Sequence, residues 1–208
     1  MGNAFLFGTG GHKPLQEKLV EIKENGTIEV VPDKGKYLSK VTIKVTGADA
    51  PGGVLYNTVD DDGYPVTATI LGTKVPDYTL YNRSTITNVA IADTVAYVDS
   101  NAFYGCTGLT VVSMPISLVT LSANAFNGCS GLAEVLFKGT PETISEEAFA
   151  TCENLLSITV PWEEGAVAGA PWGAANATIS YKTFAISESD GVATYEENIG
   201  GGQTLTIT

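Results

Sequence analysis

The sequence predicts a mainly β fold: a short solenoid of turns about 23 residues long, carrying a parallel strand ladder. A small N-terminal β module precedes it and a C-terminal β extension follows. The first observation behind this is columnar. Phe103, Phe126 and Phe149 recur at one position of a 23-residue period, each preceded by Ala102, Ala125 or Ala148. Cys106, Cys129 and Cys152 share a second position, and Ile86, Leu109, Leu132 and Leu155 a third. Val89, Val112, Val135 and Ile158 fill a fourth, then Ile91, Met114, Phe137 and Val160 a fifth. A fixed period of this length means stacked units that bury their apolar faces against one another. The second observation is composition. Hydrophobic residues make up 44% of the 208-residue chain and charged residues 16%, enough apolar surface for an ordered core. Gly, Thr, Val and Ala are abundant, which favours strands and turns over helices.

Residues 1–14 read as a Gly-rich arm whose Phe5, Leu6 and Phe7 form an apolar patch suited to docking on a partner during assembly. Residues 15–47 read as the small β module. Leu19 to Ile22 and Thr27 to Val31 flank Glu24-Asn25-Gly26, a hairpin-turn signal. Pro32-Asp33-Lys34-Gly35 makes the next turn, and Val41, Ile43 and Val45 alternate with Thr42 and Lys44 in a half-buried strand. So small a unit holds little core alone and is expected to lean on a copy or a partner. Residues 48–76 read as a linker and lead-in hairpin ending in the strand Val66 to Leu71. Asp60-Asp61-Asp62-Gly63 is read as a tight turn. Calcium is the alternative, against which stands the lack of the alternate ligand spacing of an EF-hand loop.

Residues 77–161 are the solenoid. In each turn Leu-x-x-Val-x-apolar places a strand, and a second apolar pair follows: Val95 with Val98, Leu118 with Leu121, then Ile144. Ala-Phe-x-x-Cys makes the return, with Phe filling the interior. The first turn carries Leu80 and Arg83 in the Phe and Cys columns, as suits a capping repeat. Residues 162–181 read as a C-terminal cap, in which Trp162 and Trp172 either close the last turn or offer a sugar-stacking platform. Residues 182–208 form the β extension, with a turn at Ser189-Asp190-Gly191.

The charge of −12 is uneven. Residues 1–50 hold seven of the eleven basic side chains against six acids, leaving four basic side chains against seventeen acids thereafter. Such a surface repels phosphate backbones, so nucleic acid is not an expected partner. No stretch approaches the roughly 20 apolar residues of a membrane span. The absence of a basic n-region with an apolar run at the N-terminus predicts no signal peptide and a start in a cytoplasm. Stacked turns hold equivalent Cβ atoms parallel, a poor disulfide geometry. Three thiols lack a fourth zinc ligand, since the single histidine, His12, lies far upstream. The cysteines are therefore expected to be buried free thiols. No Ser-His-Asp or Cys-His arrangement can be assembled, so no enzyme activity, cofactor or metal is expected.

The repeat Ala-Phe-x-x-Cys-x-x-Leu-x-x-Val-x-apolar-Pro resembles the BspA-type leucine-rich repeat, found in bacterial surface, protist and phage proteins. This implies a short leucine-rich-repeat solenoid. The segment Pro161-Trp162 to Pro171-Trp172-Gly173-Ala174 looks like the terminal cap of such repeats in phage structural proteins. Independently, Glu21-Ile22-Lys23-Glu24-Asn25-Gly26-Thr27, Pro32-Asp33-Lys34-Gly35 and Leu38-Ser39-Lys40-Val41-Thr42-Ile43-Lys44-Val45 resemble a module of tail and fibre proteins from phages of Gram-positive bacteria. Lys36-Tyr37 stands where that module usually has aromatic-Asp-Gly. Together the resemblances imply a virion protein, tail- or fibre-associated, contacting other virion proteins through its N-terminal region and forming a homo-oligomer. A head decoration or head fibre protein, a purely structural tail component, and a bacterial surface adhesin are the alternatives. The expected ligand face is the outward side of the repeat strands, with Asn88, Thr110, Ser113, Glu134, Ser157 and Thr159, joined by Trp162 and Trp172. A host cell-wall glycan or surface protein is the expected partner, bound weakly per contact and gaining by avidity.

Overall fold

The computed structural model describes residues 14–22, 28–30, 32–46, 55–56, 65–182, 184–189, 192–198 and 204–207. The strands are β1 (Leu15–Ile22), β2 (Ile28–Glu29), β3 (Tyr37–Val45), β4 (Leu55–Tyr56), β5 (Val66–Leu71) and β6 (Lys74–Val75). The repeats supply β7 (Ile86–Ile91), β8 (Tyr97–Val98), β9 (Val111–Met114), β10 (Thr120–Leu121), β11 (Glu134–Phe137), β12 (Thr143–Ile144) and β13 (Ser157–Thr159). Last come β14 (Thr178–Ser180), β15 (Phe184–Ser189), β16 (Val192–Asn198) and β17 (Thr204–Ile207). No helix of the described residues is long and apolar enough to cross a membrane.

Two parallel sheets build a leucine-rich-repeat solenoid of about six turns. The broad sheet has eight strands in the order β1-β3-β5-β7-β9-β11-β13-β14, and the narrow one runs β12-β10-β8-β6. Each turn climbs a broad strand, crosses to a narrow one and returns through the Ala-Phe segment. Side chains alternate across the broad strands: Val112 and Met114 are buried, while Val111 faces water. A side-chain period of two makes that assignment all-or-none, so the apolar columns fix the register.

The interior is a stack. The rings of Phe103 and Phe126 lie parallel at 4.7 Å between centroids, and those of Phe126 and Phe149 at 5.6 Å. Leu109, Leu132 and Leu155 are likewise buried. Each turn buries roughly six apolar side chains at about 2 kcal/mol apiece before entropy is counted. In the return segment, backbone N–H groups donate from one turn to the next, as from Phe103 to Ala125 (2.8 Å) and from Phe126 to Ala148 (2.9 Å). The three cysteines are buried free thiols. Each Sγ donates to a carbonyl of the preceding turn: Cys106 to Leu80, Cys129 to Phe103 and Cys152 to Phe126, at 3.0 to 3.1 Å.

The N-terminal hairpin reading is corrected. β1 pairs in parallel with β3, from Leu15 with Tyr37 to Ile22 with Val45, and β2 pairs in parallel with β4. The alternation in β3 buries Leu38, Val41, Ile43 and Val45, and these need a rung on each side rather than a hairpin partner. The lead-in hairpin is corrected in the same way, because β5 pairs in parallel with both β3 and β7. The broad sheet thus runs without a break from the N-terminal module into the repeats. At the far end β15, β16 and β17 form an antiparallel sheet, with β15 and β16 joined across 190–191. The Phe5-Leu6-Phe7 patch, the Asn25-Gly26 turn, the linker at 47–53 and the Asp60-Asp61-Asp62 turn lie outside the described residues.

Candidate functional site

The outward side of the broad sheet is organised in two columns. The first runs Glu17, Lys40, Thr67, Asn88, Val111, Glu134, Ser157 and Thr178, each the register partner of the next. The second holds Leu19, Thr42, Thr69 and Ala90, and further along Ser113, Leu136, Thr159 and Ser180. Neighbours within a column lie roughly 4.8 Å apart, and alternate residues of one strand roughly 6.6 Å apart, so the face is a regular lattice.

Of the residues expected on a ligand face, Asn88, Glu134 and Ser157 fall in the first column and Ser113 and Thr159 in the second. Thr110 is exposed just before β9, where its hydroxyl donates to the Thr87 carbonyl at 3.5 Å. Trp162 and Trp172 are a correction. They are 4% and 0% exposed, because their rings pack against Phe137 at 5.2 and 6.1 Å and against each other at 6.3 Å. Buried rings offer no platform to a sugar; they close the last turn.

The face also extends further than expected, over β1, β3 and β5. Its N-terminal end is charged, with Lys40 and Glu17 paired at 3.7 Å. From β5 to β14 the two columns hold no lysine, and Val111 and Leu136 supply exposed apolar spots. The alternation of Thr67 and Thr69 with buried Val66, Ala68 and Ile70 was the signal that could have extended the face in sequence.

At the start of the sheet, Asp33 accepts hydrogen bonds from Lys18 (2.8 Å) and Gln16 (2.7 Å). With Lys36 beside it, these donors hold its carboxyl down at about 2. Lys18 occupies an inward position of the terminal strand, a charge that discourages pairing of that edge. Burial pushes the Cys106 thiol up to about 12. The neighbouring Cys152 thiol and burial raise Cys129 as well. Protonated thiols are weak nucleophiles. Among the described residues no group of three His, Cys, Asp or Glu could hold a metal ion.

Residues 73–168 match the BspA type leucine-rich repeat region in six copies. The chain is also similar to a leucine-rich repeat protein from Bacteroides ovatus, known from a crystal structure, with 19% identity and a TM-score of 0.56. The match covers 74% of this chain and 42% of that one, so the chain spans less than half of that protein's length. At this identity the likeness is one of fold. No curated protein matches the chain.

Proposed function

We propose that the chain is a non-enzymatic virion structural protein, tail- or fibre-associated, that displays the broad sheet for contact with a host cell. The observation that carries this is the regular outward lattice of the broad sheet, which from β5 to β14 holds mostly small, hydroxyl and amide side chains. Side chains held at fixed spacing lose little entropy on meeting a repetitive partner such as a wall glycan or a surface protein. Weak contacts then add through the copies on one particle. The resemblance of Glu21 to Val45 to a phage tail module supports the virion setting, and the N-terminal end, with its apolar arm, is the proposed attachment to other virion proteins or to a second copy. Assembly in the host cytoplasm accompanies this reading. The acidic balance disfavours nucleic acid.

The second reading is a bacterial surface adhesin using the same face, and the BspA type repeats favour it. Two measurements separate them. Mass spectrometry of purified particles detects the chain if it is a virion part, and fractionation of cells finds it on the envelope if it is an adhesin. Replacing Ser113, Glu134 and Ser157 together with lysine should reduce host adsorption while particle assembly stays normal. Unchanged adsorption removes the broad face from host contact.

A further inference from the structure

Three tyrosines, Tyr78, Tyr81 and Tyr104, form a ring cluster in the first two return segments of the solenoid, and a fourth, Tyr97, stands on narrow strand β8 three residues before Ser100. The rings of Tyr81 and Tyr104 stack at 5.1 Å with 16° between planes, and Tyr78 meets Tyr81 edge-on at 5.3 Å. Tyr97 stands beside Lys74 as its register partner in the narrow sheet. Lys74 pairs with Asp99 at 3.6 Å, and the Tyr78 N–H donates to Ser100 O, bringing the rings and the ion pair to one corner. Tyr97 and Tyr78 are 48% and 43% exposed, so these two rings are accessible to a ligand.

The repeat itself shows that the fold does not require them. One and two periods after Tyr78 stand Asn101 and Asn124, which share its left-handed backbone (φ 58° for Tyr78, 57° and 58° for the asparagines). Asn adopts that conformation readily and a bulky aromatic does not. Tyr81 and Tyr104 are followed in their column by Asn127 and Ala150, and Tyr97 by Thr120 and Thr143. An acid deviates at the same place: Asp99 stands where later turns have Ser122 and Ser145, and beside it the Asp77 column runs Ser100, Ala123 and then Glu146. A strained aromatic at a position that the next two turns fill with asparagine, and the turn after them with Glu147, directs attention to function.

The geometry points to this corner, built by Tyr78, Tyr97, Tyr81, Tyr104, Asp77 and Asp99 with Lys74, as a binding site for a neutral carbohydrate chain. Sugars present C–H faces to aromatic rings and hydroxyls to carboxylates and ammonium donors, and the corner offers all three. Half-burial of Asp99 raises its pKa, opposed by Lys74, so its carboxyl sits in a partly dry surrounding where a hydroxyl donor gains more. Anionic polymers meet two carboxylates and a chain of net charge −12. A simple cationic ligand would compete with Lys74, and an apolar helix finds no exposed aliphatic side chain among these residues. Lys74 and Tyr97 lie on the narrow sheet and the other residues in the segments that follow its strands, none of them on the proposed host-contact face, so the site stands or falls separately from it.

The test uses the full chain on an array of immobilised neutral oligosaccharides (gluco-, galacto-, manno-, xylo- and chito-series), with polylysine beside them. Variants borrow residues that the repeat already accepts: Tyr78→Asn with Tyr97→Thr, and Tyr104→Asn. The expected result is binding to at least one sugar series, weakened about tenfold or more by the double variant. Circular dichroism and the thermal midpoint report that the variants remain folded, and the triple lysine variant of the broad face should bind sugar normally. No sugar bound, binding indifferent to the tyrosines, or retention by polylysine alone would overturn the proposal.

Discussion

Trp172 stands one 23-residue period after Phe149, and the Phe149 N–H donates to the Trp172 carbonyl at 2.9 Å. Each earlier phenylalanine donates to the alanine carbonyl 22 residues on, Phe103 to Ala125 and Phe126 to Ala148, so the cap continues the hydrogen-bond ladder with its register shifted by one residue. The Trp172 indole N–H donates to Ala168 O at 2.8 Å. Both tryptophans pack on Phe137, yet the buried indole nitrogen of Trp162 has no hydrogen-bond partner among the described residues. Two tryptophans in one cap are therefore unequal. One is held through its indole N–H and its backbone carbonyl, and the other is apolar cover.

That inequality predicts the cost of trimming each ring. Trp172→Ala should destabilise the chain by about 3–5 kcal/mol, as buried aromatic truncations do. Trp172→Phe should cost less, about 1–2 kcal/mol, combining the lost hydrogen bond with a smaller ring. Trp162→Phe should fall below it, since no hydrogen bond is lost. Urea midpoints for the three variants check the order, and equal costs for the two Phe variants would contradict it.

The cysteine column predicts alkaline sensitivity. Cys106 has a folded pKa of about 12 against an ordinary 9.0. A raised pKa means that its stabilisation is complete below 9.0 and is lost as pH climbs toward about 12. The full loss is on the order of 4 kcal/mol. Cys106→Ala should flatten the stability profile in that window. In the native state an alkylating reagent should leave Cys106 and Cys129 unlabelled at pH 8, whereas denaturant should expose them. Rapid native labelling of either thiol would contradict the packing.

How far the sequence carried this fold depends on the spacing of particular residues. Phe103, Phe126 and Phe149 repeat identically, so burial, stacking and turn length followed directly. The N-terminal rungs obey the same rule less visibly. Val20 pairs with Ile43, 23 residues on, but Ile43 pairs with Ile70 after 27 and Ile70 with Ile91 after 21. Extra and missing residues in the crossings hide the period, and Asn25-Gly26 offered a hairpin in its place. The broad face was legible because outward positions follow from register. For Trp162 and Trp172 the sequence allows both a cap and a ligand platform, because it shows an aromatic but not which side of the last turn it covers; burial selects the cap. The tyrosine corner is not legible in what the columns share, because its signal is departure: Tyr78 where Asn101 and Asn124 stand.

Asp33 makes the first rungs sensitive to acid. Lys18 and Gln16 donate to its carboxylate, and its pKa falls from 3.8 to about 2. A depressed pKa means that the contribution is present above 3.8 and is lost as pH falls through about 2. Asp33→Asn should remove that slope between pH 4 and 2 while leaving the repeats alone. Amide exchange across β1 and β3 as a function of pH reads it. Identical pH profiles for the two proteins would show that the carboxylate does not hold the first rung.

Glycines at the turn crossings set how closely successive rungs approach. A Cβ on Gly131 would collide with the Thr107 carbonyl of the preceding turn, and one on Gly108 with Ser84 O. Backbone cannot swing aside as a flexible side chain can, so the rungs themselves must separate. Gly131→Ala is therefore expected to cost on the order of 3 kcal/mol, at the high end for overpacking. Gly165 gives the comparison. Its φ of +85° strains any Cβ, but nothing lies within 4 Å of that atom. Gly165→Ala should cost only about 1 kcal/mol, the backbone term alone. Denaturant midpoints of the two variants, measured side by side, separate close approach from backbone strain. A Gly131→Ala protein as stable as Gly165→Ala would mean that the rungs can move apart at little cost, and that the spacing of the ladder is set elsewhere.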